Sequence, residues 1–184
     1  MWSKISAWIL KILGWRIQID TYPLPPKYII AVVPHTSNLD FPMGLLIRSA
    51  LREDIKFIGK DSLFKFPLGV IFRWLGGYPV DRSKRSHFVE GVVDIFNKKD
   101  HFKVSIAPEG TRRKVNSLKT GFYYIAKGAH VPILLCKFDY GHKIIGISAP
   151  FFPTDDVDAD LAFIDNYFRG VRGKNPKNSY LYSS

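Results

Sequence analysis

The sequence contains very little cysteine. Cys136 is the single cysteine among 184 residues, which excludes a disulfide within the chain and favours a reducing compartment. Because Cys136 lies in an apolar, strand-like segment at residues 131–138, its expected role is that of a small buried side chain. The five histidines show no His-x-x-x-His spacing, and a lone cysteine allows no Cys-x-x-Cys motif, so we expect no metal site.

Long hydrophobic runs are also missing. A helix needs about 20 apolar residues to cross a bilayer, and the segment at residues 1–15 is shorter and carries lysines. Trp15-Arg16 stands where a signal peptide would need small residues for cleavage. The tryptophans, isoleucines and leucines of residues 1–15 recur at helical spacing, which is typical of an amphipathic helix at a membrane interface. A helix that simply packs on its own domain is the alternative.

Acidic residues are few compared with basic ones. The chain has 16 Asp and Glu against 27 Lys and Arg, which gives a net charge of +11 and a pI near 9.7. Such a charge favours an anionic partner, namely nucleic acid, an acidic membrane surface or a phosphorylated substrate. No zinc-finger, RNA-recognition or KH signature accompanies the basic clusters. Nucleic-acid binding through the net charge therefore stays open as an alternative, but a nucleic acid is not the partner that we predict.

The apolar content is sufficient for one well-buried domain, at 46% of 184 residues. Segments rich in β-branched residues alternate with segments of helical periodicity, a pattern typical of an α/β domain with a largely parallel, mixed central sheet flanked by helices. We predict a single domain at residues 16–170, preceded by the amphipathic helix at 1–15. A basic, mobile tail is expected at residues 171–184.

A histidine and an aspartate lie five positions apart between a predicted strand and a predicted helix. His35 follows the β-branched segment at residues 28–33, and Asp40 opens an apolar segment for which Ser37 and Asn38 are candidate N-caps. A fully extended chain would separate the two Cα atoms by about 16 Å, whereas one continuous helix would place them about 140° apart. Only a turn brings the carboxylate to the imidazole, where it would fix the tautomer and leave the other nitrogen as a base. In isolation, Asp40 merely favouring a helix N-terminus is the commoner case.

Two further predicted strands end in charged residues. A short strand after Gly76-Gly77 ends in Asp81-Arg82, and a strand at residues 102–107 is followed by Pro-Glu-Gly-Thr-Arg-Arg at 108–113. In that second turn glycine lets the backbone approach an anion, and arginine offers a bidentate charged fork. Because sites in parallel sheets collect at the carboxyl ends of strands, we expect these turns and His35 to form one site.

Together these motifs resemble the lysophospholipid or glycerolipid acyltransferase family, of which 1-acyl-glycerol-3-phosphate acyltransferase is typical. The resemblance covers roughly residues 28–147 and consists of four motifs in order. His-x-x-x-x-Asp stands at 35–40, a Gly-rich block ending in Asp-Arg at 77–82, Pro-Glu-Gly-Thr-Arg at 108–112 and Val-Pro-Ile at 131–133. The chain departs from the family at Pro34, where Asn is common, and at Arg113, where Ser is common.

The resemblance implies a direct acyl transfer to a lysophospholipid, most simply the conversion of lysophosphatidic acid to phosphatidic acid. His35 would be the general base that takes the proton of the acceptor hydroxyl, and Asp40 would orient it. The residues implied to hold the acceptor phosphate or to shape its pocket are Arg82, Glu109, Gly110, Thr111 and Arg112. No acyl-enzyme is implied, and Cys136 has no role in the family.

The same resemblance implies acyl-CoA or acyl carrier protein as co-substrate, no cofactor, and a peripheral position at the cytoplasmic face of a membrane. The unusually apolar residues 60–76 would line an acyl-chain pocket or meet lipid, with burial in the core as the alternative. Other functions stay open at this stage. They are transfer to a different lipid or to another amine or hydroxyl acceptor, and non-catalytic lipid binding through the basic and aromatic surface.

Overall fold

A seven-stranded sheet forms the centre of the computed structural model, which describes residues 2–80 and 85–183. The strands are β1 (Arg16–Ile19), β2 (Lys27–Val33), β3 (Ile55–Lys60), β4 (Gly77–Val80), β5 (Phe102–Ile106), β6 (Ile133–Asp139) and β7 (Ile144–Ile147). Their order is β1-β7-β6-β2-β5-β3-β4. The ladders between these strands are parallel except for the antiparallel β6–β7 pair. β2 therefore lies at the centre, between β6 and β5.

Helices cover both faces of this sheet. They are α1 (Trp2–Ile12), α2 (Asp40–Leu51), α3 (Leu68–Trp74), α4 (Arg85–Asn97), α5 (Gly121–Ala129) and α6 (Val157–Phe168). Successive side chains of β2 point to opposite faces: Ile30 joins the core under α1 and α2, whereas Ile29 and Ala31 join the core under α4, α5 and α6. The predicted α/β domain with a largely parallel, mixed sheet is confirmed.

Helix α1 packs on the domain and also presents an apolar face to solvent. Leu10 is buried against the core, and the Ser6 hydroxyl donates to the Ser49 hydroxyl of α2 at 2.9 Å. On the other side, Trp2 and Trp8 are 79% and 63% exposed. Helix α1 therefore both packs on its own domain and exposes an apolar face, so the two alternatives for residues 1–15 do not exclude each other. Within the part of the chain that is described, no helix is long and apolar enough to span a bilayer.

The carboxyl-terminal residues are packed, which corrects the prediction of a mobile tail at 171–184. Val171, Ser179 and Tyr180 are buried, and the Tyr180 hydroxyl donates to the Asp165 carboxylate of α6 at 2.7 Å. The apolar side chains among the basic ones account for the difference, because they join the core beside α6.

Helix α5 is shorter than the sequence indicated. The sequence pattern alone favours a helix from Asn116 with Gly128 as its C-cap, but α5 begins at Gly121 and ends at Ala129, and its C-cap is His130 in a left-handed conformation with φ of 53°. Gly128 has a packing role instead: a Cβ atom there would lie 3.2 Å from a methyl group of Val93 in α4. The residues before Gly121 form part of the wall of a cleft.

Candidate active site

The predicted contact between His35 and Asp40 is present. His35 follows the carboxyl end of β2, and Asp40 is the first residue of α2. The intervening turn brings the His35 Nδ1 atom to 3.1 Å from Asp40 Oδ2. The histidine side chain keeps 23% of its surface exposed, whereas that of Asp40 keeps 3%. The aspartate is thus enclosed, and the imidazole is open on one side.

Backbone amides fix the Asp40 carboxylate. Its Oδ2 atom accepts hydrogen bonds from the amides of Thr36 and Ser37 at 2.9 and 2.8 Å. The predicted caps Ser37 and Asn38 do not begin the helix: the N-cap residue is Leu39, without a side-chain cap. Instead, the loop amides donate to Asp40. The same carboxylate therefore fixes the loop before α2 and contacts His35.

A tyrosine that the sequence did not single out completes this arrangement. The Tyr140 hydroxyl donates to Asp40 Oδ1 at 2.8 Å. Burial by itself would raise the pKa of Asp40, but hydrogen bonds from His35, the Ser37 amide and Tyr140 outweigh it and lower the pKa below the ordinary value. Burial and the bond to Asp40 raise the pKa of Tyr140 in turn. Asp40 is therefore a carboxylate at neutral pH and Tyr140 a neutral donor.

Glu109 contacts the backbone of the histidine. It is 1% exposed, and its Oε2 atom accepts the His35 amide at 2.5 Å. Burial raises its pKa to about 7, against the opposing effect of that hydrogen bond. Its Oε1 atom is buried without a hydrogen-bond partner among the described residues. The bond from the His35 amide to Glu109 joins the third motif to the first.

His35 borders two cavities of different character. The larger, an open cleft of about 1000 Å³, lies between the end of β5 and the start of α5 and is lined by Gly110, Thr111 and Arg112 among others. The smaller, of about 220 Å³, lies between α2 and the sheet. Its lining is mainly apolar and includes Ile30, Val32, Phe41, Leu45, Ile47, Leu51, Ile55, Phe57, Phe138 and Ile147.

Cys136 lines the smaller cavity from β6. It is 1% exposed, as its apolar sequence context predicted. Burial raises its pKa to about 12, so the thiol stays protonated at neutral pH. Because the thiolate is the nucleophilic form of cysteine, Cys136 is poorly suited to accept an acyl group.

The turn after β5 presents its backbone and Arg112 to the cleft. Gly110 has a φ of +64°, a conformation that favours glycine, and a Cβ atom there would lie 2.7 Å from the Lys119 ammonium. The Thr111 hydroxyl accepts the Arg113 amide at 3.3 Å. Lys119, which the sequence analysis did not select, lines the same cleft as Arg112. Two cations thus flank a turn in which the backbone is accessible.

The structure brings His35, Asp40, Glu109, Gly110, Thr111 and Arg112 to one end of the sheet. Arg82, the remaining predicted site residue, lies outside the described residues. Within residues 2–80 and 85–183, no group of three or more His, Cys, Asp or Glu residues could hold a metal ion.

Comparisons with known proteins agree with this geometry. The sequence profile of the Acyltransferase family matches residues 17–137, more than half of the chain. The fold is similar to the crystal structure of the 1-acyl-sn-glycerophosphate (LPA) acyltransferase PlsC from Thermotoga maritima, with a TM-score of 0.61 and 19% identity over 90% of this chain and 74% of that chain. A search of curated proteins found no significant match. The extent of the profile match decides the family: this chain belongs to the acyltransferases and is an acyltransferase enzyme.

Proposed function

We propose that the protein transfers a fatty acyl group from an acyl thioester to the hydroxyl of a lysophospholipid, with lysophosphatidic acid as the first candidate. The supporting observation is the position of His35 between two unlike cavities. The smaller, apolar cavity suits the acyl chain, and the larger cleft with Arg112 suits a phosphorylated alcohol. The donor is acyl-CoA or acyl carrier protein, and no cofactor takes part.

In this proposal His35 is the general base. Its Nδ1–H donates to Asp40, so the Nε2 atom has a free lone pair for the proton of the acceptor hydroxyl. As that proton moves to Nε2, the acceptor oxygen attacks the thioester carbonyl and a tetrahedral intermediate forms. The carbon–sulfur bond then breaks, and the leaving thiolate takes the proton back from His35. The products are an ester and a free thiol, and the protein is not acylated.

Asp40 and the turn after β5 have supporting roles in the same proposal. A charged Asp40 keeps the proton on Nδ1 and stabilises the imidazolium that forms during the reaction. Arg112, with the proposed help of Arg82, binds the acceptor phosphate, and Gly110 and Thr111 shape that pocket. Glu109 holds the His35 backbone, which fixes the distance between base and phosphate.

We further propose that the protein acts peripherally at the cytoplasmic face of a membrane. Exposed apolar side chains on α1 and around α3 support this: Trp2 and Trp8 on the former, and Phe66 and Trp74 on the latter, which are 90% and 82% exposed. Tryptophan is favoured at lipid interfaces, and the net charge of +11 favours anionic lipid. Because Leu10 of α1 is buried, deleting the whole helix would also disturb the core.

The membrane proposal is tested by the double variant Trp2→Gln with Trp8→Gln in a vesicle sedimentation assay. Both side chains are exposed, so the fold is retained, and we expect most of the protein to leave vesicles of anionic phospholipid. Sedimentation equal to that of the wild type would contradict the role of α1.

An acceptor screen tests the catalytic proposal. The purified protein is incubated with acyl-CoA or acyl carrier protein thioester, and with lysophosphatidic acid, other lysophospholipids, glycerol 3-phosphate or an amine, and the products are identified by mass spectrometry. We expect phosphatidic acid from lysophosphatidic acid. A product from another acceptor would replace lysophosphatidic acid in the proposal. Tight vesicle binding without thioester consumption in the presence of any of these acceptors would contradict the proposed reaction.

A further inference from the structure

Residues 172–179 lie beyond the family match in the sequence, since that match ends at residue 137. In the fold, this carboxyl-terminal segment contacts both loops of the site. We call it the C-terminal clasp. The Gly173 amide donates to the buried Ser179 hydroxyl at 2.8 Å, which closes the segment into a compact turn. A Cβ atom on Gly173 would lie 2.7 Å from the Thr36 hydroxyl and 3.0 Å from the Pro34 ring. The clasp therefore lies directly on the loop that carries His35.

Asn175 binds the residue next to the histidine at two points. Its amide donates to the Thr36 hydroxyl at 3.1 Å, and its side-chain nitrogen donates to the Thr36 carbonyl at 2.7 Å. Thr36 is 2% exposed and donates its own amide to Asp40. Asn175 thus holds the Thr36 side chain and the Thr36 carbonyl, and that carbonyl belongs to the peptide whose N–H group, on Ser37, donates to the Asp40 carboxylate.

Asn178 reaches the other half of the site. Its side-chain nitrogen donates to the backbone carbonyl of Arg112 at 3.0 Å. The Arg112 side chain itself is exposed. A hydrogen bond to the carbonyl leaves the guanidinium available for an anion while limiting where the turn can place it.

The first residue of the clasp supports Tyr140. The Arg172 carbonyl accepts the Tyr140 amide at 2.7 Å, and the Tyr140 hydroxyl donates to Asp40. The clasp thus contacts Thr36, Tyr140 and Arg112, three residues that are far apart in sequence.

We propose that Asn175 and Asn178 are positioning residues that set the distance between the catalytic base and the anion-binding turn. Asn175 holds Thr36 and through it Asp40 and His35, and Asn178 holds Arg112. Neither touches the reacting atoms. The inference rests on the proposed function, because it assigns the two asparagines to the base and to the acceptor phosphate respectively.

The two asparagines should therefore affect different kinetic constants. With acyl-CoA and lysophosphatidic acid, we expect Asn175→Ala to lower kcat about tenfold with little change in KM, because a misplaced base slows only the chemical step. We expect Asn178→Ala to raise KM for the acceptor about fivefold with little change in kcat. Asn166→Ala is the matched control, since Asn166 is an exposed residue of α6.

Amide hydrogen exchange gives a second readout that needs no substrate. In Asn175→Ala the Thr36 and Ser37 amides should exchange about tenfold faster than in the wild type, while Asn178→Ala should accelerate exchange only near Arg112. The melting temperatures of both variants should stay near that of Asn166→Ala.

The possible results distinguish failure of the positioning role of the clasp from failure of the proposed function. If no acceptor is acylated by the wild type, the proposed function fails, yet local exchange still decides whether the clasp orders the two loops. Kinetic constants and exchange equal to those of Asn166→Ala would overturn the inference. The inference would also be overturned if both variants showed the same changes in kcat and KM together with equally lowered melting temperatures. Such a result would indicate a merely structural role.

Discussion

The loop that carries His35 and the loop that carries Arg112 are held in different ways. In the histidine loop, residues 34–40, the Asp40 carboxylate gathers hydrogen bonds from two amides and a phenol beside its contact with the imidazole. In the arginine loop, residues 108–113, hydrogen bonds reach the backbone, and the side chains of Arg112 and Arg113 are exposed. The histidine loop fixes the Asp40 side chain, whereas the arginine loop fixes Glu109 and its own main chain but leaves its arginine side chains exposed.

This difference matches two chemical tasks. Proton transfer is sensitive to small displacements, so a base benefits from a rigid environment. Binding a phosphate on a flexible lipid requires charge and reach, which an exposed arginine provides. We therefore expect changes in the histidine loop to act on kcat and changes in the arginine loop to act on KM.

His35→Ala should cause the greatest loss of activity among the variants of the two loops. Removal of a general base typically slows a reaction by about 10²- to 10⁴-fold, and we expect kcat to fall within that range while the fold is retained. Lipid products are quantified by mass spectrometry, and circular dichroism checks the fold. His101→Ala is the control because His101 is exposed. Turnover of His35→Ala equal to that of the control would remove the histidine from the mechanism.

Asp40→Asn should give the next largest loss of kcat, about 10²-fold or more. The amide has the shape of the carboxylate but not its charge, so it no longer stabilises an imidazolium or secures the Nδ1–H tautomer. KM for the acceptor should change little. Asp94→Asn, at an exposed position of α4, controls for the loss of one negative charge. A variant with unchanged kcat and raised KM would assign Asp40 to binding.

Glu109 connects the two loops, and its raised pKa predicts that the stability of the folded protein depends on pH. Its pKa is about 7 in the folded protein against an ordinary 4.5, so the folded state binds more protons between these values. The free energy of unfolding should therefore fall as pH rises from about 4.5 to 7, by up to about 3 kcal/mol from this residue. Glu109→Gln keeps an acceptor for the His35 amide without the charge, and its urea denaturation should lack this contribution. Parallel pH profiles for the two proteins would contradict the burial of a charged Glu109.

Arg112→Ala tests the arginine loop, and its effect should be weaker than those of the preceding variants. A hydrogen bond to a charged group contributes about 1.5–3 kcal/mol, so we expect KM for lysophosphatidic acid to rise about tenfold with kcat within a factor of three. Arg113→Ala removes a neighbouring exposed charge and serves as the matched control. If both variants raise KM equally, the effect is one of general charge rather than of a phosphate contact.

The sequence predicted the parts of the site that are local in the chain. His35 and Asp40 lie five positions apart, and the strand before them and the helix after them leave only a turn between. The convergence of the turn after β5 on the same point followed from the parallel sheet. For these parts of the site, the chemistry of neighbouring residues and the geometry of a parallel sheet are sufficient to predict the arrangement.

The contacts that the sequence missed come from distant parts of the chain. Tyr140 lies 100 residues beyond Asp40, and Asn175 lies 139 residues beyond Thr36. A tyrosine after a strand and an asparagine in a basic segment carry no periodic signal. The tail prediction was wrong for the same reason: net charge indicated solvation, whereas Val171 and Tyr180 were individually apolar enough to pack.

Direct transfer through His35 requires that the protein itself is never acylated, and intact-mass spectrometry measures whether it is. The wild-type protein is mixed with acyl-CoA alone, sampled over the time of several turnovers, and then given lysophosphatidic acid. Direct transfer predicts that the protein mass stays unmodified throughout and that phosphatidic acid and free CoA form only after the acceptor is added. An acyl adduct on Cys136 or on another side chain, formed before the acceptor and lost as product appears, would contradict it.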